Sequence, residues 1–376
     1  MEKKRIKKGR PDVTLLGILI IMITFGLIMV FSASTPSAFY QHGNRFYFIK
    51  RQFIWTMLGF VAMFFMANMN YRIVKQWAGV FLIVSIVLMF LVPLIGVEVN
   101  GAKRWLGIGP VTFQPSEISK FALIFYFAKR MSENRKGHLT NFVYGLLPYI
   151  GILCAFLFAM FLQDHLSAMV ITFATLMVML LVGGANIKHF VIMGGAGAGV
   201  LIPFAFLESY RLKRLMAFMD PFKYAKDIGW QIVQGLYAIG SGGIFGRGLG
   251  QARQKFLYVP EAHNDYIYAI LCEELGLIGA ICVAVLFIAL ITRCIIIAIN
   301  APDTFSKMTV FGITTLVAFQ YIINIGVVTS VLPNTGMQLP FFSAGGSSLV
   351  FLMAAMGVVL NISRYSNLSG RKDELK

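Results

Sequence analysis

Apolar residues occur in this chain as runs of about 20 residues, the length that an α-helix needs to cross a membrane. Short polar connections separate the runs. The predicted spans are residues 13–33, 53–69, 75–96, 115–130, 142–162, 166–184, 189–207, 265–292, 308–328 and 344–362. The pattern therefore predicts an all-α polytopic membrane protein with about ten transmembrane helices.

Composition and charge agree with this prediction and orient the chain. Hydrophobic residues make up 58% of the sequence and charged residues only 13%, whereas about a quarter of a soluble domain is charged. Lys and Arg of the short connections fall on the same side as both termini, which predicts that this side is cytoplasmic. We predict a basic cytoplasmic N-terminus (1–12), a single transmembrane domain (13–362) and a cytoplasmic tail (363–376).

The net charge of +17 exceeds what orientation alone requires. One connection, residues 208–264, is far longer than the others and is predicted to be an extracytoplasmic loop rich in cations. A cationic outer face suits an anionic ligand such as a phosphate, and attraction to anionic lipid headgroups is the alternative explanation. No nucleic-acid partner is expected. Cations of this outer face include Arg51, Arg104, Arg211, Arg214 and Lys255.

Asp265 lies where the long loop meets the next apolar run. A carboxylate at such a place is costly unless it is hydrated, paired or used, which makes it a functional-site candidate. A structural alternative is that Asn264 caps a helix and Asp265 stabilises its first turn. Glu273 and Glu274 lie about 12 Å deeper on a regular helix and point to different sides, which suggests a polar cavity.

Three further segments carry polar or small residues at membrane depth. Glu117 and Lys120 are three positions apart and can pair on one helix face, which indicates support for a cavity floor more than catalysis. Ser343, Gly345 and Gly346 precede the last span and either line a cavity or permit close helix packing. The glycine-rich run 242–251 permits tight turns or close approach to a ligand. No Cys or His spacing indicates a metal site.

Four of these segments together resemble one protein family. They read Asn-Gly-Ala-Lys-Arg-Trp-Leu with Gln-Pro-Ser-Glu-Ile-Ser-Lys, then Gly-Ile-Phe-Gly-Arg-Gly-Leu-Gly, then Pro-Glu-Ala-His-Asn-Asp-Tyr-Ile-Tyr-Ala with Glu-Glu-Leu-Gly, and Leu-Pro-Phe-Phe-Ser-Ala-Gly-Gly-Ser-Ser. In this order they resemble the SEDS family (shape, elongation, division and sporulation), which includes FtsW, RodA and SpoVE. Details favour the FtsW/SpoVE branch, and the resemblance spans nearly the whole chain.

The resemblance implies a peptidoglycan glycosyltransferase of the bacterial cytoplasmic membrane. The family polymerises lipid II, a disaccharide-pentapeptide on an undecaprenyl pyrophosphate carrier, at the outer face, for division or sporulation septum synthesis. It works with a class B penicillin-binding protein. The family's essential aspartate matches Asp265, expected to be the general base of an inverting transfer. Outer cations are expected to stabilise the departing pyrophosphate. The candidates for contact with the pyrophosphate or the sugar are Arg51, Arg104, Arg211, Arg214 and Lys255.

The chain departs from the family at the turn before the sixth span. Many members read Glu-Pro-Asp-Leu-Gly-Thr, whereas this chain reads Gln-Asp-His-Leu-Ser-Ala from Gln163. His165 occupies the family's aspartate position, and Asp164 falls where proline is usual. A role assigned to that aspartate elsewhere therefore cannot be transferred to this chain.

Two other functions and one cofactor remain open at this point. A lipid II flippase would use Glu117, Lys120, Glu273 and Glu274 along a polar path, although the functional-looking residues gather on the outer side, which favours the enzyme. A scaffold for the penicillin-binding protein is the third interpretation. A divalent cation, Mg²⁺ or Mn²⁺, is one way to bridge the pyrophosphate and Asp265, although no dedicated ligand set is visible.

Overall fold

The structure is a computed structural model that describes residues 9–99, 102–108, 111–133, 138–206 and 209–366. These residues form twelve α-helices and a small antiparallel sheet in the order β1-β2-β3. The helices are α1 (Val13–His42), α2 (Tyr47–Asn68), α3 (Tyr71–Ile95), α4 (Pro115–Glu133), α5 (Leu147–Phe161), α6 (Leu166–Val182), α7 (Ile187–Phe206), α8 (Ser209–Met219), α9 (Trp230–Gly242), α10 (Ile267–Ile299), α11 (Thr304–Val328) and α12 (Gly346–Ser363). The strands are β1 (Val97–Val99), β2 (Ala102–Ile108) and β3 (Val111–Phe113), and a π-helical turn, Phe142–Leu146, leads into α5.

Each of the ten predicted spans falls on a helix, which confirms the all-α membrane class. Within the described residues, seven helices are long and apolar enough to cross a membrane. They are α1, α2, α3, α5 with its π-helical turn, α10, α11 and α12. Since α4, α6 and α7 are outside this group, the number ten stays a prediction.

The outer surface of the helices is apolar. Val61 and Phe65 on α2, Ile83 on α3 and Ile288 on α10 are each more than 60% exposed. Contiguous apolar surface of this kind is unusual on soluble monomers. It is the surface expected of helices surrounded by lipid, because their backbone polar groups are already paired within each helix.

Both described termini lie at one end of the helix assembly. The Gly9 amide donates to the Arg364 carbonyl at 2.8 Å, next to the ends of α12. Arg293, near the end of α10, donates from Nη2 to Asp12 Oδ2 at 2.6 Å, at the start of α1. The two described ends of the chain therefore lie on the same side of the helix assembly. We call this side the terminal end. The opposite end, where α1 turns into α2 and α11 into α12, is the cavity end.

The predicted long loop is folded into α8, α9 and an ordered glycine-rich segment. We call residues 242–250 the glycine strap. The strap lies against α10, with Arg247 N donating to Glu273 O and Gly248 N to Glu274 O, both at 2.9 Å. In return, Leu277 N donates to Gly243 O at 2.9 Å. The close approach that the glycines permit is therefore to the main chain of α10.

The strap also explains why α10 is not a regular helix. Gly276 has φ 65° and ψ −160°, a non-helical conformation within α10. A Cβ atom added at Gly276 would stand 2.3 Å from Gly246 N. The interruption thus gives the strap room to pair with α10, and it follows Glu273 and Glu274, so the helix is unbroken from Ile267 to these two residues.

We expect Gly246→Ala to lower the thermal unfolding midpoint of the detergent-solubilised protein. Gly246 has φ +77°, and a Cβ atom there would meet Glu274 O at 2.2 Å. Left-handed backbone and a main-chain clash together cost at least about 2 kcal/mol. The matched control is Gly243→Ala, since Gly243 has φ +58° but open space around its Cβ position. Equal midpoints for the two variants would contradict the strap contact.

Candidate functional site

A cavity of about 710 Å³ opens at the cavity end of the molecule. Its size is within the range of small-molecule sites. Its walls come from the α1–α2 connection, β2 and β3, the start of α4, the α5–α6 turn, the loop before α10 and the segment before α12. Polar lining residues include Gln41, Arg51, Gln52, Arg104, Gln114, Glu117, His165, Glu261, His263, Asn264, Asp265, Gln320, Gln338, Ser343 and Ser348.

Asp265 is on the wall of this cavity, in the loop that precedes α10. Its main-chain carbonyl accepts a hydrogen bond from Asn324 Nδ2 on α11 at 2.8 Å. Its Oδ1 atom is buried and has no hydrogen-bond partner within the described part of the chain. A buried carboxylate oxygen without a partner is costly, so the site is arranged for an incoming donor.

The alternative helix-cap role of Asp265 is wrong. The helix α10 begins at Ile267, with Tyr266 at the N-cap position, and its first turn holds no acidic residue. Asn264 Nδ2 donates to Glu261 Oε2 at 2.5 Å instead of capping α10. The predicted boundary at residue 265 was therefore two residues early, and Asp265 stands before the helix.

The environment of Asp265 raises the pKa of its carboxyl group to about 7. Burial is the largest cause, because it disfavours the charged form. The nearby charge of Glu261 raises this pKa further, and the positive charge of Arg214 opposes both. A carboxyl that titrates near neutral pH can accept a proton during a reaction and release it afterwards.

The turn before α12 holds the Asp265 loop in place. Ser343 Oγ donates to Asn264 O at 2.6 Å and accepts from Leu339 N at 2.8 Å. The amide of Ala344 donates to His263 O at 2.9 Å. Ser343, Gly345 and Gly346 also line the cavity. The segment therefore has both roles that its small residues predicted, since it lines a cavity and permits close helix packing.

Close packing is most evident at the two glycines of that turn. Gly345 N donates to Gln52 Oε1 of α2 at 3.3 Å. A Cβ atom at Gly346 would stand 2.6 Å from Nε1 of Trp55, also on α2. These contacts fix the start of α12 against α2, with which α12 packs along its length.

Arg51 and Arg104 are the two predicted cations that line the cavity. Arg51 is exposed near the start of α2. Arg104, on β2, donates from Nε to Gln163 O at 3.2 Å and from Nη2 to Asp164 O at 2.5 Å. Arg104 therefore binds the α5–α6 turn while its guanidinium faces the cavity.

Glu117 and Lys120 form the predicted ion pair on α4, with Lys120 Nζ 2.7 Å from Glu117 Oε1. Lys120 is 2% exposed and Glu117 16%, and only Glu117 lines the cavity. The structure thus confirms the pairing that their spacing predicted, and structural support for the cavity stays a prediction. Lys120 balances the negative charge that Glu117 places at the cavity wall.

Of the other three predicted cations, Arg214 and Lys255 are described, and neither lines the cavity. Arg214 on α8 donates to Asn334 O at 3.3 Å and acts on Asp265 through its charge. Arg211 is also on α8, and its side chain lies outside the described residues. Lys255 is buried, and its Nζ donates to Glu274 Oε1 at 2.7 Å, Gly250 O at 2.8 Å and Ser32 Oγ at 3.0 Å. Lys255 is therefore a buried structural cation, contrary to the predicted pyrophosphate contact.

Glu273 and Glu274 do not form the polar cavity that their depth suggested. Glu273 accepts from the amides of Arg253 at 2.8 Å and Gln254 at 3.2 Å. Glu274 binds Lys255 and Ser32. Both carboxylates are buried. Their role in this structure is to attach the loop that follows the glycine strap to α10.

Several cavity residues were not singled out from the sequence. His263 is 7% exposed, its ring centroid is 4.5 Å from that of Phe48, and its Nε2 is 4.0 Å from Glu261 Oε2. Ser348 Oγ donates to Gln338 Oε1 at 3.0 Å. The only sequence signal for these residues was that they stand inside the quoted motifs, next to Asp265 or to the glycines before α12.

Sequence comparison places these features in a family. A sequence model of the FtsW/RodA/SpoVE cell cycle proteins matches residues 13–368. The chain belongs to the FtsW/RodA/SpoVE family. It is 42% identical over 362 residues to stage V sporulation protein E of Bacillus subtilis (strain 168), covering 96% of this chain and 99% of that protein. It is 38% identical over 354 residues to the "Probable peptidoglycan glycosyltransferase FtsW" of Geobacter sp. (strain M18), covering 94% and 96%.

Solved structures of FtsW/RodA/SpoVE relatives share the fold. A chain from a structure on the coordination of polymerization and crosslinking by a peptidoglycan synthase complex superposes with a TM-score of 0.79 at 26% identity, covering 95% of this chain and 99% of that one. The rod shape determining protein RodA of Thermus thermophilus superposes with a TM-score of 0.72 at 24% identity, covering 95% and 98%. The predicted SEDS resemblance is confirmed, and the protein is a multi-pass protein of the bacterial cytoplasmic membrane.

Proposed function

We propose that this chain is a peptidoglycan glycosyltransferase that polymerises lipid II at the outer face of the cytoplasmic membrane. The observation that carries the proposal is Asp265, a carboxyl with a raised pKa and an unpartnered oxygen, on a cavity at the end opposite both termini. Relatives named as FtsW glycosyltransferases support the reaction class. The matching relative named for sporulation supports a role in septum synthesis for division or sporulation.

In the proposed reaction, Asp265 is the general base. The acceptor hydroxyl of one lipid II molecule transfers its proton to the carboxylate as its oxygen attacks the anomeric carbon of the donor. The bond from that carbon to the carrier pyrophosphate breaks, and the electron pair leaves with the pyrophosphate. A single displacement of this kind inverts the anomeric centre.

The departing pyrophosphate needs positive charge that is already in position. Arg51 and Arg104 line the cavity that Asp265 occupies, and Arg104 is held by two main-chain carbonyls. A planar guanidinium suits phosphate oxygens better than an ammonium group does. We therefore assign pyrophosphate binding to these two arginines, with Arg214 contributing through its charge near Asp265.

A divalent cation would depend on the substrate for most of its ligands. Within the described ranges, no group of three or more His, Cys, Asp or Glu side chains is arranged to hold a metal ion. Mg²⁺ is commonly bound by one or two carboxylates together with substrate phosphates. Any Mg²⁺ or Mn²⁺ dependence would then require the substrate's own oxygens as ligands, and no step above depends on it.

We further propose that a class B penicillin-binding protein is the partner of this chain. The relative with the TM-score of 0.79 comes from a complex described as coordinating polymerization and crosslinking. Polymerised glycan is the substrate that peptide crosslinking consumes. The partner assignment rests on that relative, and lipid II is assigned from the reaction named for the FtsW relatives.

The geometry favours this enzyme over a flippase. A translocation path needs charged groups that face a continuous polar route between the two ends of the molecule. Of the four charged residues considered for it, Glu117 is the one that lines the cavity. Lys120, Glu273 and Glu274 are buried and paired.

The test of the proposed function is lipid II polymerisation by the purified chain, with and without its cognate transpeptidase. We expect glycan strands, resolved by gel electrophoresis, that a muramidase digests. Absence of strands under both conditions, together with lipid II movement between leaflets of vesicles that contain the protein, would instead support the flippase.

The rate of polymerisation is expected to rise with pH through about 7. The base form of Asp265 is the ionised one, and its pKa is about 7, so the rate at low substrate concentration falls about tenfold per pH unit below that value. Initial rates between pH 5 and 9 measure this rise. In Glu261→Gln the rise should occur at lower pH, because a charge that raises the Asp265 pKa is gone. A flat profile across this range would contradict the assignment.

A further inference from the structure

His165 stands in a rigid turn at the cavity wall. The turn joins α5 to α6 and receives two hydrogen bonds from Arg104 on β2. From the opposite side, Gln163 Nε2 donates to Met89 O of α3 at 2.8 Å. The amide of His165 itself donates to Met160 O at 3.0 Å. The imidazole is therefore presented to the cavity from a backbone fixed by α3, α5 and β2.

Two side chains contact Nδ1 of His165. Gln114 Nε2 lies 3.4 Å from His165 Nδ1, and Ser116 Oγ lies 3.2 Å from it. We assign Nδ1 as the acceptor from the Gln114 amide, which places the proton of the neutral imidazole on Nε2.

The surroundings of His165 favour the neutral form of the ring. Burial, with the positive charges of Arg104 and Lys120, lowers the pKa of His165 to about 3. Protonation therefore requires acid well below physiological pH. His165 keeps one N–H donor, on Nε2, across the working range.

No described residue bonds to Nε2 of His165. The hydrogen bonds that described residues make to His165 involve Nδ1 and the main chain. The residue also lines the cavity. Nε2 is therefore the ring nitrogen that is left for a ligand in the cavity.

We infer that the Nε2–H of His165 donates a hydrogen bond to a pyrophosphate oxygen of the lipid-linked substrate. The inference rests on the proposed function for the identity of the substrate. Arg104 lines the same cavity and its charge acts on His165, so an anionic oxygen beside both groups is favoured. Glu117 does not oppose this, because Lys120 neutralises it. His165 is therefore a substrate-binding residue that carries no charge.

The test compares two amide substitutions at His165 that place the N–H donor at different positions. In His165→Asn the amide stands where Nδ1 stands and can keep the Ser116 contact, but nothing occupies the Nε2 position. In His165→Gln the amide nitrogen reaches the Nε2 position. A hydrogen bond to a charged group contributes enough that its loss should raise KM for lipid II about tenfold in the Asn variant, with kcat within about threefold of the wild type. The Gln variant should recover most of that loss.

A binding measurement separates this inference from the proposed function. Detergent-solubilised wild type and both variants are titrated with undecaprenyl pyrophosphate, undecaprenyl monophosphate and inorganic pyrophosphate. We expect the Asn variant to lose affinity for both pyrophosphates and to bind the monophosphate more nearly as the wild type does. If wild type makes no glycan but this pattern holds, the proposed function fails and the inference stands.

Three results would overturn the inference. One is an unchanged KM for lipid II in His165→Asn alongside normal wild-type polymerisation. Another is an equal loss of binding in the Asn and Gln variants with a lowered thermal unfolding midpoint in both, which would make His165 a purely structural residue. The third is a loss of binding for the monophosphate as large as that for the pyrophosphates.

Discussion

Asp265→Asn is expected to reduce lipid II polymerisation by the purified chain about 10²- to 10⁴-fold, the usual contribution of a general base. The amide keeps the size of the side chain but cannot accept the proton of the attacking hydroxyl. Because the carboxyl is buried and costs energy to ionise, the variant should unfold at the same or a higher temperature than the wild type. The loss is then in kcat, with binding of lipid II retained.

The matched control for this variant is Asp227→Asn. Asp227 is exposed in the connection between α8 and α9, whereas Asp265 lies between α9 and α10, and Asp227 is outside the cavity. The same change of charge there should leave the polymerisation rate within about twofold, as exposed substitutions usually do. If purified Asp265→Asn polymerised lipid II at the wild-type rate, Asp265 would not be the general base.

Lys255→Met should be the most destabilising of the substitutions considered. It leaves the Glu274 carboxylate buried without its cation, and removal of one partner of a buried pair costs about 3–5 kcal/mol. The two side chains are 4% and 0% exposed, with Nζ 2.7 Å from Oε1. Thermal unfolding in detergent measures the effect, and the polymerisation rate should fall with the folded fraction.

Two companion variants test the physical reason for that loss. Arg247→Met removes a cation that is 32% exposed and 3.7 Å from Glu273, and it should cost no more than about 1 kcal/mol. Lys255→Met combined with Glu274→Gln removes both charges of the buried pair and should be more stable than Lys255→Met alone. Equal thermal unfolding midpoints for Lys255→Met and Arg247→Met would contradict this explanation.

The positions of the helices could be predicted because the signal is local. Runs of apolar residues long enough to span lipid appear directly in the sequence, and each predicted span falls on a helix. Asp265 could be singled out because ionising a carboxylate is costly at its position. The Glu117–Lys120 pair follows from spacing within one helix. Each of these inferences uses neighbours that are close in the chain.

What could not be predicted depends on distant parts of the chain. Lys255 has the appearance of an exposed loop cation, and only folding brings it to Ser32, 223 positions away. The start of α10 at Ile267 depends on Asn324 and Ser343, which hold residues 264 and 265 outside the helix. The open Nε2 of His165 depends on Gln114, 51 positions earlier. Such contacts have no periodicity by which a sequence could reveal them.

The glycine strap has a consequence for how this region tolerates substitution. Its hydrogen bonds to α10 join main chain to main chain, so they do not depend on which side chains the strap carries. Ile244 and Phe245 are 61% and 80% exposed, and a wide choice of residues should be accepted there. Gly242 and Gly246 have α10 carbonyl oxygens within 2.2 Å of where a Cβ would be. A saturation scan across residues 242–250 should therefore show an alternating pattern. Substitutions should be poorly tolerated at Gly242 and Gly246 and well tolerated at Ile244 and Phe245.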